Sequence, residues 1–118
     1  DLFKGNSIRN KNATLQLQKD KLTEEYSLYK ERSIVELNTT RRQLDDAAFR
    51  IVRQQASVVN AAESYRILKD RYEQGLSGST DVLLAQTQLS QQQLALAQAI
   101  FDRDVTKAYL EFLTSSGK

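Results

Sequence analysis

The distribution of helix breakers constrains this chain more than any other feature. It holds no proline, and its four glycines fall at positions 5, 75, 78 and 117. Between them the residues are rich in Leu, Ala, Gln, Glu, Lys and Arg, the side chains that lose least on entering a helix. The pattern predicts a helix over about residues 7–74, a turn over about 75–79 and a second helix over about 80–114. Read this way, residues 1–118 are a single helical-hairpin segment. The fold class is all-α, a long antiparallel coiled-coil hairpin. The first helix is about twice as long as the second, so its N-terminal half is expected to find no partner within the chain.

Apolar spacing supports the coiled coil. Leu37, Leu44, Ala47, Ile51, Val58, Ala61, Tyr65, Leu68 and Tyr72 alternate at three and four residues, with Thr40 and Gln54 filling the gaps in register. That is a heptad seam. In the second helix Val82, Ala85, Leu89, Leu96, Ala99, Leu110 and Leu113 keep the same rhythm, interrupted by Gln92, Arg103 and Thr106. The two seams are expected to pair about a turn centred at Ser77, which sets Val58 and Leu96 equally far from it. Before Leu37 the pattern weakens. Leu15, Leu22 and Tyr29 hold one register that Tyr26 extends, and the step from Tyr29 to Leu37 slips the packing phase.

A second stripe carries more information. Leu83, Leu94, Ala97, Phe101 and Ala108 lie on another face of the second helix, with Thr87 and Ser90 in its gaps and Val105 and Phe112 one position beyond. Phe49, Val52, Ala56 and Val59 echo it on the first helix. At 3.6 residues per turn, the seam and this stripe lie roughly 150° apart. A lone hairpin needs one stripe per helix, whereas a curved palisade needs two that are nearly opposite. A broad single face in a three- or four-helix bundle is the alternative.

Composition excludes several chemistries. There is no Cys and no His, so disulfides, thiol nucleophiles, the usual general base and the commonest metal ligand are all missing. The carboxylate neighbours Asp45–Asp46 and Glu24–Glu25 diverge by about 100° on a helix and read as solvated face. Neither an enzyme nor a cofactor is expected. Seventeen basic and fifteen acidic residues are interspersed, giving a net charge of +2 and no basic field for nucleic acid. Val82 to Phe101 is uncharged, but its six glutamines make it unsuited to lipid. The polar opening "DLFKGNSIRNKN" lacks the features of a signal peptide and reads as the edge of a fragment or mature segment.

In the turn, Gly75 is expected to adopt the left-handed conformation that closes a helix and Gly78 to loosen the next turn. Ser79 or Thr80 can cap the second helix, with Asp81 in its first turn. Here the residues resemble a known family. Tyr72-Glu-Gln-Gly75-Leu76-Ser77-Gly78-Ser-Thr-Asp81-Val82-Leu83, then Ala85-Gln86, Leu110 and Gly117, are similar to the second half of a repeat in the outer-membrane factor family, the TolC-like export ducts. Leu2-Phe3-Lys4-Gly5-Asn6 is similar to the stretch with which those proteins leave a membrane strand, though Lys4 and Asn6 depart from it.

The resemblance implies a homotrimeric duct. Hairpins of this kind build a periplasmic barrel of about a dozen helices, continuous with an outer-membrane β-barrel. It further implies that the tip, Gly75, Leu76, Ser77 and Gly78, docks a membrane-fusion adaptor that joins the duct to an inner-membrane transporter in efflux or type I secretion. Tyr72 and Asp81 match residues of the constricted entrance. Ser77 and Leu84 stand where the family's constricting repeat carries an arginine and a second aspartate, so the resemblance departs from a full charged gate at these two positions. Each of these residues also has a plainer role: Tyr72 in the seam, Asp81 as a first-turn carboxylate, and the Gly-Leu pair as turn chemistry. Asn12-Ala-Thr14 and Asn38-Thr-Thr40 fit the glycosylation sequon, which has no role in a bacterial periplasm. Two other functions compete, a periplasmic adaptor hairpin and a self-associating coiled-coil scaffold. An adaptor would carry an arginine, leucine and serine along its tip, and a scaffold leaves the second stripe unexplained.

Overall fold

A computed structural model describes Leu2 to Ser116, with side chains from Lys4 onward; of the motif residues, Leu2 and Phe3 have no described side chain and Gly117 lies outside the described residues. Helix α1 spans Leu2–Glu73 and helix α2 spans Ser79–Ser116, and no strand occurs among the described residues. The fold is an all-α antiparallel hairpin. α1 begins before the expected Ser7, so Gly5 lies inside it with open space about the position of its missing Cβ. A helical glycine costs only about 1 kcal/mol relative to alanine. No proline or competing contact adds to that cost, and the helix continues through it.

The chain divides into two compact units, one running to Asn38 and the other beginning at Thr39. The first is helix alone. Every side chain from Lys4 to Glu36 is exposed, including Leu15, Leu22, Tyr26 and Tyr29 of the weak register. Its described side-chain contacts are local: Thr14 Oγ1 donates to the Asn10 carbonyl at 2.8 Å, Thr23 Oγ1 to that of Lys19 at 2.9 Å, and Lys30 Nζ lies 5.4 Å from the Tyr26 ring centre. Such i to i+4 links contribute tenths of a kcal/mol each.

The second unit is the hairpin proper. Thr40, Ala47, Ile51, Ala85 and Ala99 are buried. Leu44, Gln54, Val58, Ala61, Tyr65 and Leu68 on α1 are half-buried, as are Val82, Leu89, Gln92, Leu96, Arg103, Thr106, Leu110 and Leu113 on α2. Both heptad seams therefore face one another, polar interruptions included. Tyr72 is the exception: it is 49% exposed, although it continues the α1 seam.

Two contacts between the helices fix their stagger. Arg50 Nη1 lies 3.3 Å from Asp102 Oδ2, and Gln54 Nε2 donates to Gln92 Oε1 at 2.6 Å. The midpoints of these pairs in sequence, residues 76 and 73, bracket a hairpin centred near Gly75, not at Ser77. Two surface grooves along the seam agree, one bringing Asp46 and Arg50 beside Asp102 and Val105, the other Ser57 and Asn60 beside Gln91 and Gln92. In that register a and d positions face each other. Ile51 is level with Ala99, Tyr65 with Ala85, Ala61 with Leu89 and Leu44 with Thr106. Each of these four layers sets a large side chain against a smaller one, which fits the finding that the most buried residues are alanines and a threonine. Leu68 and Val82 form the last layer. Tyr72 is level with Gly78, which has no side chain to cover it.

Candidate functional site: the hairpin tip and its flanking faces

The tip is built by main-chain hydrogen bonds. Gly75 has φ +78°, and it is the one described residue with a positive φ. Its N–H donates to the Tyr72 carbonyl at 3.0 Å, and the Leu76 N–H donates to the Arg71 carbonyl at 2.8 Å. This pair of bonds, five-to-two and six-to-one, is the Schellman closure of a helix with glycine at C′. The Gln74 N–H adds a bond to the Asp70 carbonyl at 3.1 Å.

α2 starts differently from the sequence expectation. The Val82 N–H donates to the Gly78 carbonyl at 3.5 Å, which makes Gly78 the N-cap and places Ser79, Thr80 and Asp81 at N1, N2 and N3. Neither the Ser79 nor the Thr80 hydroxyl makes a capping bond, because α2 begins one residue earlier than a hydroxyl cap would require. Asp81 lies exposed in the first turn, where exposed amides favour a carboxylate.

The side chains of the tip differ in exposure. Leu76 is 74% exposed. In a Schellman closure the C″ residue commonly packs on C3, but C3 here is Arg71, and Leu76 stays bare. Ser77 is half-buried, and its hydroxyl oxygen is enclosed with no hydrogen-bond partner. The fold thus brings Gly75, Leu76, Ser77 and Gly78 together in one tight loop, with Tyr72 and Asp81 on the helices that flank it.

Behind the tip the second stripe is uncovered. Phe49, Val52 and Val59 on α1 and Leu83, Leu94, Phe101 and Phe112 on α2 are all exposed once the seam has formed. Tyr109 and Phe112 lie 6.4 Å apart between ring centres. Two charged features escaped the reading of the sequence. One is the Arg50–Asp102 pair, which becomes legible only when the stagger is known. The other is the cluster on α1 in which Arg66 bonds Glu63 at 2.6 Å and Asp70 at 3.1 Å; its three- and four-residue spacing was a usable signal. The hydrogen bond and charge of Arg66 hold the Glu63 carboxyl below its ordinary value, and Glu63 raises Arg66 in turn.

Among the described residues no cluster of His, Cys, Asp or Glu could hold a metal ion, and no helix is long and apolar enough to cross a membrane. The arrangement offers surfaces for contact. No protein-family model, curated protein or solved structure matches the chain.

Proposed function

We propose that this chain is a hairpin of a bacterial export duct of the outer-membrane factor kind, a wall element that catalyses nothing and passes solutes through a barrel made with other helices. The observation that carries the reading is the apolar stripe, Phe49, Val52 and Val59 with Leu83, Leu94 and Phe101, that stays exposed after α1 and α2 have covered each other's seams. A wall helix has a neighbour on each side, and an isolated hairpin does not. The tip is then the periplasmic entrance, with Gly75, Leu76, Ser77 and Gly78 receiving a membrane-fusion adaptor and Tyr72 and Asp81 flanking the opening. Opening follows if the adaptor binds the splayed arrangement of hairpins more tightly than the closed one. The assembled duct is a homotrimer that works with an inner-membrane transporter.

Disulfide coupling tests this directly. A cysteine at Leu76 in the trimeric duct is paired with cysteines at adaptor hairpin tips, with Val58→Cys and Gln92→Cys as the internal control because those positions are level in the seam. A specific tip disulfide is the expected result. No tip coupling, with the control pair forming, removes the docking role.

A further inference from the structure

We propose that the hairpin has two heptad-related registers, the observed one closed at Gly75 and a second closed at Gly78, and that the Gln54–Gln92 pair selects the first. The inference is independent of the export reading.

Three features of the observed register motivate it. First, the α1 seam has an unused position. Tyr72 continues the heptad but is level with Gly78 and half exposed. Sliding α2 toward the tip by one heptad sets Tyr72 level with Ala85 and Ile51 level with Thr106, again a large residue against a small one. Second, the observed turn makes no use of what distinguishes Gly78. It lies outside the left-handed region, and a Cβ there would meet nothing within 4 Å. A slide of one heptad moves the hairpin midpoint by half that, about three and a half residues. Gly78 stands three residues after Gly75. Third, shifting the whole turn by three residues makes Gly78 the left-handed C′ residue and moves the N-cap from Gly78 to Asp81, a preferred N-cap type. The sequence thus holds a complete second set of turn residues.

The glutamine pair opposes the slide. Gln54 Nε2 donates to both the Oε1 and, at 3.2 Å, the main-chain carbonyl of Gln92 in a partly buried layer. A one-heptad slide separates them by about 10 Å and leaves both amides facing apolar or cationic neighbours. Single polar residues in a coiled-coil seam set register in this way. The geometry is that of a ratchet between packed helices, where the intermediate positions clash and the end positions fit.

The test is a distance between spin labels at Asp45 and Gln86, both exposed and outside the seam, in the full chain. The unaltered chain gives one distance. Gln54→Ala with Ala61→Gln moves the amide one heptad along α1, and Gln92→Ala with Ala99→Gln moves it one heptad along α2. Each is expected to lengthen the distance by about 10 Å, seven residues of helix rise. Adding Gly75→Ala to either variant completes the shift, and adding Gly78→Ala instead abolishes it. An unmoved or featureless distance in both amide-shifted chains overturns the proposal, and so does a shift that survives Gly78→Ala. Two independent variants guard against one that fails to fold.

Discussion

Gln54 and Gln92 meet across the hairpin seam, the Gln54 amide donating at 2.6 Å to the Gln92 side-chain oxygen at a part-buried position between buried and half-buried residues. A hydrogen bond in such a place contributes about 1 kcal/mol net, while an orphaned partner costs about 1–3 kcal/mol. Gln54→Ala is therefore expected to lower stability by about 1–2 kcal/mol in chemical denaturation. Replacing both residues by leucine is expected to leave stability unchanged or raised, because no unpaired amide remains. A double-leucine chain less stable than the single variant would contradict this.

The two tip glycines respond differently to substitution. Gly75→Ala forces an L-residue into the left-handed region and is expected to cost about 1–2 kcal/mol. Gly78 has no such φ and serves as an N-cap, so Gly78→Ser is expected to stabilise by a few tenths of a kcal/mol. Thermal unfolding of the two variants side by side checks the order.

The Arg66 cluster gives a pH dependence with a definite sign. Glu63 has a folded-state pKa below its unfolded value, so its contribution is present above the unfolded value and is lost as pH falls through the folded one. The partners are exposed to solvent, so the effect on stability is small and screened by salt. Carbon-13 titration of the Glu63 carboxyl is expected to show a midpoint below that of an ordinary glutamate. Arg66→Ala returns it to the ordinary range, and a carboxyl that ignores this substitution would disprove the assignment.

An uncovered stripe of large apolar side chains favours self-association. The weight-average mass in sedimentation is expected to rise with concentration. Phe49→Asp with Phe101→Asp suppresses the rise while helicity stays unchanged, since both side chains are exposed.

The first unit tests the energetics of an unpacked helix. Long helices in water draw most of their stability from a buried face, and residues 4–36 bury none. Their amides are expected to exchange with solvent orders of magnitude faster than those of residues 44–68. Comparable protection in the two stretches would mean that this helix is covered by something in solution.

The seam was legible residue by residue because heptad spacing and helix geometry are local facts. Every seam position from Leu37 to Leu68 and from Val82 to Leu113 is buried or half-buried, Thr40, Gln54, Gln92, Arg103 and Thr106 among them. What periodicity could not supply was the stagger, which depends on which layers fit. The expected centre at Ser77 is displaced to near Gly75 because there the a and d positions of the two seams face each other. For the same reason Tyr72, read as a seam residue, has nothing opposite it. Gly75 was readable from its chemistry, since only a glycine takes φ +78° without strain. The N-cap was not: Ser79 and Thr80 looked better suited than Gly78, but the Schellman closure sets the path of the next residues and brings α2 in at Gly78. The exposed stripe was visible as a pattern, and the structure shows it bare in the folded hairpin.

The bare Leu76 has a consequence for how anything can bind there. Its backbone is held by the hydrogen bonds of Gly75 and Leu76 to α1, so a ligand meeting it faces little conformational ordering of the main chain. Its side chain is 74% exposed, so covering it displaces mainly water. Removing a leucine side chain from water is worth about 1.5–3 kcal/mol. At this position that gain goes to association almost undiminished, which gives one residue of a five-residue turn an outsized share of any affinity the tip possesses.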